Sequence, residues 1–170
     1  MGHIEFSGPD LLLTSAGPLA ICVTDGPRAF ERPNIVGAFT ALQRLKATTH
    51  RDMLYYIYVA GEHSALPNAE ARKMSVEITK LADLVLGIHE GDGIRASLVR
   101  AVVTGITMMA STKLKPHIVA TPEQAAAWAA PRVGGALSEA QILEALRFTR
   151  AEINAAPTGS KASGTSASRG

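Results

Sequence analysis

The chain has 170 residues, of which 46% are hydrophobic and 19% charged, enough apolar material to bury one core of ordinary domain size. Its formal net charge is only +2, and lysine and arginine are scattered rather than gathered in a stripe, so nucleic acid is not an expected partner. No basic segment followed by an apolar stretch of signal-peptide length opens the sequence, and no apolar run reaches the roughly 18 residues that cross a bilayer, so the expectation is a cytoplasmic protein without a membrane span.

Residues 1–9 carry little patterning and read as a flexible N-terminus. Two short β-rich runs, 11–15 and 19–24, flank Ala16-Gly17-Pro18 and predict a hairpin that opens the sheet. Cys22 lies in the second run. As the only cysteine it cannot form an internal disulfide, and in an apolar setting it reads as a small core residue. From Pro33 to about Thr48, Ile35, Phe39, Leu42 and Leu45 recur at helical spacing, which predicts an amphipathic helix on one sheet face. The run 53–60, rich in tyrosine and β-branched residues, predicts a central strand covered on both sides.

A helix follows from about Asn68, with Met74, Ile78 and Leu81 on one stripe, and then a strand over 84–89. Glu90-Gly91-Asp92-Gly93-Ile94-Arg95 leads into a helix that is apolar on nearly every face, with Ile94, Leu98, Val102, Ile106 and Met109 in one row widened by Val99, Val103 and Met108. Such a row reads first as core, and alternatively as the wall of a cavity for an apolar ligand. The run 116–121 predicts a final strand. Thr121 then reads as an N-cap and Pro122 as a first-turn proline, opening a helix through Trp128.

After the break at 131–137, Ser138 caps a further helix over 138–154, whose Ile142, Leu146 and Ile153 form an apolar face. That face either docks on the domain or meets a partner, including a second copy of the chain. Residues 155–170 are dominated by Gly, Ser, Ala and Thr and read as a disordered tail.

The element order β-β-α-β-α-β-α-β-α predicts an α/β domain over 10–134, a mixed sheet of about five strands covered by helices, followed by the C-terminal helix. On that order, on the Gly91-to-Arg95 entry to a buried helix, and on the final strand running into Thr121-Pro122, the stretch 11–130 resembles the STAS and STAS-like group, the fold of bacterial anti-sigma-factor antagonists, and its relatives near the SEC14 lipid-binding superfamily. The resemblance implies a non-enzymatic regulatory module acting through contact with a protein partner. It also points to a phosphorylatable residue after the central strand. The matching loop here is Gly61-Glu62-His63-Ser64, so Ser64 is the candidate for modification, although the aspartate and glycine that frame the site in antagonists are absent. Glu62 and His63 join Ile142, Leu146 and Ile153 as candidate partner surface.

Three chemical readings stand beside that one. The clusters Glu62-His63-Ser64 and His89-Glu90-Asp92 both follow strands, yet neighbours in an extended chain point to opposite sides, and no Gly-x-Ser-x-Gly elbow or paired-histidine spacing accompanies them. No catalytic residue, metal or cofactor is expected from them. Gly91, Asp92, Gly93 and Arg95 compose a candidate anion or ligand loop at a helix start, where Asp92 can itself satisfy the free N–H groups. The functional alternatives are therefore a carrier or sensor of a small apolar or anionic ligand, and a structural homo-oligomer built through the C-terminal helix.

Overall fold

In a computed structural model, the described residues are 2–49, 53–90, 97, 101–102, 104–106 and 117–156. The strands join in one six-stranded mixed sheet whose spatial order follows the chain: β1 (His3–Gly8), β2 (Leu11–Ala16), β3 (Leu19–Thr24), β4 (Tyr55–Ala60), β5 (Leu84–His89) and β6 (His117–Val119). Pairing is antiparallel from β1 through β3 and parallel from β3 through β6. Alternating strands and helices account for the parallel half, because a parallel return needs a long crossover that a helix supplies. The mixed α/β class expected from the element order is the class observed.

Residues 1–9 are a correction to the sequence reading, since they hold an edge strand. Every residue of β2 is buried, so β2 cannot form the border of the sheet. β1 covers it through the Pro9-Asp10 turn, with Phe6 tucked under the helix α1 (Arg32–Thr48). A Cβ at Gly37 would lie 2.2 Å from the Phe6 ring, so the missing side chain there lets the edge strand close onto the helix. The sheet thereby has six strands rather than about five.

α1 and α2 (Ala69–Leu81) cover one face of the sheet, and α3 (Pro122–Ala129) and α4 (Glu139–Ala155) cover the other. The caps read from the sequence form. Asn68 accepts from the Ala71 N–H, Thr121 accepts from the Gln124 N–H, and Ser138 builds a reciprocal box with Gln141. Strand alternation sends Leu19, Ile21, Val23, Ile57, Leu86 and Ile88 toward α3 and α4, and Leu13, Cys22, Tyr56 and Val85 toward α1 and α2. Leu84–His89 is buried throughout, as a strand covered on both faces must be.

α4 docks on its own domain. Ile142 is 0% and Leu146 4% exposed within the core that they share with β3, β4 and β5, and Ile153 is half-buried against the same cluster. The expected partner surface at Ile142 and Leu146 is therefore corrected: the sheet face offered by Leu19, Ile21, Ile57 and Leu86 already takes up that apolar stripe. Among the described residues, no helix is long and apolar enough to cross a membrane.

Candidate functional site

The parallel strands β3, β4 and β5 end side by side, at Thr24-Asp25, Ala60-Gly61 and His89-Glu90, on the edge where open α/β sheets commonly hold ligands. Backbone bonds keep the three exits in register: the Gly61 N–H donates to the Thr24 carbonyl at 2.8 Å and the Glu90 N–H to the Ala60 carbonyl at 3.0 Å. Because side chains alternate, the last strand residue and the next one point to opposite faces. Two distinct groups result, one on each side of the sheet.

On the α4 side, Arg150 spans two carboxylates. Its Nη1 lies 2.8 Å from Asp25 Oδ2 and its Nη2 lies 2.5 Å from Glu90 Oε2. The first contact pairs charges without hydrogen-bond alignment, since Nη1 is buried with no hydrogen-bond partner. Asp25 also accepts from the His63 backbone N–H at 3.0 Å, and the His63 ring Nδ1 sits 3.3 Å from the same oxygen. A Cβ at Gly61 would come within 2.6 Å of the Asp25 carboxyl carbon, so a glycine lets the two strand ends close around that side chain. Burial pushes the Glu90 carboxyl above its usual range. The Arg150 charge opposes that shift, and the neighbouring Asp25 adds to it.

On the α1–α2 side, three hydroxyls meet. Thr24 Oγ1 lies 2.8 Å from the Tyr58 hydroxyl and 2.7 Å from Ser64 Oγ. Burial pushes the Tyr58 hydroxyl up to about 12, while its bonds with Thr24 and Ser64 pull the other way. The group closes the polar end of an apolar cavity of about 90 Å³ between the sheet, α1 and α2. Ile35, Ala38, Tyr56, Met74, Ile78 and Val85 supply much of its wall, and Val102 and Ile106 contribute from the helical residues of the β5–β6 crossover. Cys22 lines it as well. Burial raises that thiol to about 12, so it stays protonated and acts as an apolar wall rather than a nucleophile.

His89 completes this side. It is Ala60's register partner on β5, and alternation puts it on the same face as the cavity-lining Tyr58 and Ala60. Its side chain is 7% exposed and its Nδ1 has no hydrogen-bond partner.

Placement changes the meaning of several sequence candidates. Ser64, the candidate for modification, is 3% exposed and hydrogen-bonded to Thr24 inside the protein, so the loop turns that hydroxyl inward. Glu62 and His63 are exposed, and the His63 ring leans on Asp25. Gly91, Asp92, Gly93 and Arg95 lie outside the described residues. Among the described residues, no group of three or more His, Cys, Asp and Glu side chains is arranged to hold a metal ion.

Sequence reading missed Thr24, Asp25, Tyr58 and Arg150. Asp25 carried a signal, the Asp25-Gly26 turn pair directly after a strand, and Tyr58 carried the two-residue alternation of its strand. Arg150 carried none, because its partners are distant in the chain. Compared with protein-family models, curated proteins and solved structures, the chain matches none. The STAS-like resemblance therefore brings no function to the site, and the reading rests on geometry.

Proposed function

We propose that this protein is a non-catalytic binding module that carries or senses a small apolar molecule held between the sheet and helices α1 and α2. The observation that carries the reading is the apolar cavity itself, walled by aliphatic and aromatic side chains and closed at one end by hydroxyls. Buried pockets with few polar groups are the usual form of small-molecule sites, the apolar wall supplying affinity and the polar end orientation. At about 90 Å³ the space limits the occupant to a molecule no larger than a single ring or short branched chain.

The regulatory reading through a phosphorylated loop loses its main support with the burial of Ser64. The oligomer reading loses its own with the burial of Ile142 and Leu146.

The test is solvent extraction and native mass spectrometry of the purified protein, alongside Ala38→Leu. Ala38 lines the cavity from α1 and is 4% exposed, so the longer side chain fills the void at modest cost. The expected result is a stoichiometric small molecule, or a melting temperature raised by toluene, in the wild type and neither in the variant. An empty protein whose melting is indifferent to toluene would overturn the reading.

A further inference from the structure

We infer that the molecule held between the sheet, α1 and α2 carries a neutral O–H or N–H donor, and that the Tyr58 hydroxyl oxygen is the acceptor that reads it. The inference deepens the binding reading above and rests on it. Thr24, Tyr58 and Ser64 all line the cavity, and the hydrogen bonds among them fix where their protons go. Ser64 Oγ donates to the Ala65 carbonyl at 3.4 Å. A hydroxyl has one proton and two acceptor sites, so Ser64, its proton spent, accepts from Thr24 across 2.7 Å. Thr24 then has no proton left for Tyr58, and the 2.8 Å bond between them is one that Tyr58 donates. The relay runs from Tyr58 through Thr24 and Ser64 to a backbone carbonyl.

Tyr58 stands at its head, and with its proton committed to Thr24 the phenolic oxygen acts toward the cavity only as an acceptor. Burial keeps that phenol protonated at neutral pH, so the direction of the relay holds. Ser75 and Thr79, the hydroxyls on the α2 wall, spend their protons on carbonyls of their own helix, each at 2.8 Å. A ligand with an O–H or N–H therefore meets a lone pair at the polar end, whereas one with only an acceptor there meets no proton. None of the described residues lining the cavity is charged, so an ammonium would enter without a counter-ion. The donor is accordingly neutral, as in a small alcohol or phenol.

The experiment titrates toluene, phenol and pyridine into the full-length protein, its Tyr58→Phe variant and its Tyr55→Phe variant, reading affinity by calorimetry and fold by circular dichroism. The three probes are single rings: phenol donates and accepts, pyridine only accepts, and toluene does neither. In the wild type, the phenol-to-toluene affinity ratio should exceed their ratio of partitioning from water into cyclohexane, where no hydrogen bond forms, by about tenfold or more. In Tyr58→Phe that ratio should fall about tenfold, the worth of one hydrogen bond, while the pyridine-to-toluene ratio stays as it was. Tyr55→Phe removes a hydroxyl from the same strand on the opposite face, and should keep the wild-type ratios. Toluene binding with a phenol ratio unchanged in Tyr58→Phe, or no greater than partitioning in the wild type, overturns the role of Tyr58 and leaves the cavity reading standing. A pyridine ratio that falls in Tyr58→Phe would show Tyr58 donating to the ligand, and overturns the inference from the other side. Failure of toluene and phenol alike to bind the folded wild type overturns the cavity reading itself.

Discussion

Thr14 on β2 and Thr149 on α4, 135 residues apart in the chain, face each other with their hydroxyl oxygens 2.6 Å apart in a fully buried interface. Thr149 Oγ1 also donates to the Ala145 carbonyl at 2.8 Å, which leaves Thr14 as the donor between the two threonines. The pair is a polar pin through an apolar layer, and its two ends are unequal. Thr149→Val strands the Thr14 proton and should cost about 1–3 kcal/mol, the penalty for an unsatisfied buried group. Thr14→Val leaves Thr149 bonded to its own helix and should cost about 1 kcal/mol or less. The double variant should then be no worse than Thr149→Val alone, so urea unfolding of all four proteins should give a strongly non-additive cycle. Additive costs would show that the two hydroxyls do not meet.

The Arg150 clamp makes a prediction that depends on pH. Arg150→Met leaves Asp25 and Glu90 close together without the charge that balances them, and should cost about 2 kcal/mol at pH 7. Glu90 already binds its proton more tightly in the folded state than in the unfolded one, chiefly through burial, and removing Arg150 takes away the main opposing influence. A carboxyl with a raised folded pKa imposes no penalty below its unfolded value of 4.5, and an increasing one as pH climbs from there through the folded value. The variant's deficit against wild type should therefore be smaller at pH 5 than at pH 7. Urea midpoints at the two pH values check this, and a deficit that grows toward acid would assign the clamp's worth to something other than Glu90.

How much of this was legible beforehand follows from where each signal lies. β5 and the caps at Asn68, Thr121 and Ser138 are local patterns, and the structure has them where the sequence put them. β1 was legible and overlooked: Ile4 and Phe6 alternate with His3, Glu5 and Ser7, and Pro9-Asp10 makes a turn before Leu11. The docking of α4 was open, because an apolar stripe does not say which apolar surface will cover it. The hydroxyl cluster and the Arg150 clamp were not legible. They depend on which strand ends become neighbours, and that follows from sheet order rather than from any spacing along the chain. Ser64 shows the limit most directly, since a loop serine reads as exposed until the partner at Thr24 is known.

Above neutral pH the cavity face should destabilise the protein. Burial raises the Cys22 thiol and the Tyr58 hydroxyl each to about 12, and raises Tyr56 well above its ordinary value. These groups stay protonated when folded but ionise near 9 to 10 when unfolded. Their contribution to stability is complete below the unfolded values and is lost as pH rises through them toward 12. Unfolding free energy should fall steeply from about pH 9 upward, and ultraviolet titration should detect tyrosinate from Tyr56 and Tyr58 only with loss of the fold. Cys22 should likewise resist a thiol reagent at pH 8 in the native protein and react at once in urea. Rapid modification of the native thiol would mean that the wall around it opens.

Ser64 distinguishes an inward hydroxyl from a surface switch. Ser64→Ala removes one member of the Thr24–Tyr58–Ser64 group but leaves the Thr24–Tyr58 bond intact, and should cost about 1 kcal/mol, lowering the melting temperature by about 2–4 °C. Ser64→Asp, the usual mimic of phosphorylation, puts a carboxylate among hydroxyls and apolar carbons with no cation facing it from the described cavity wall. Its cost should be several times larger, because a buried unpaired charge must keep its proton or open the structure to water. Circular dichroism melts of the three proteins read the difference. If Ser64→Asp melts with the wild type, the side chain reaches solvent without cost, and a charge-driven switch at this loop becomes the better account of it.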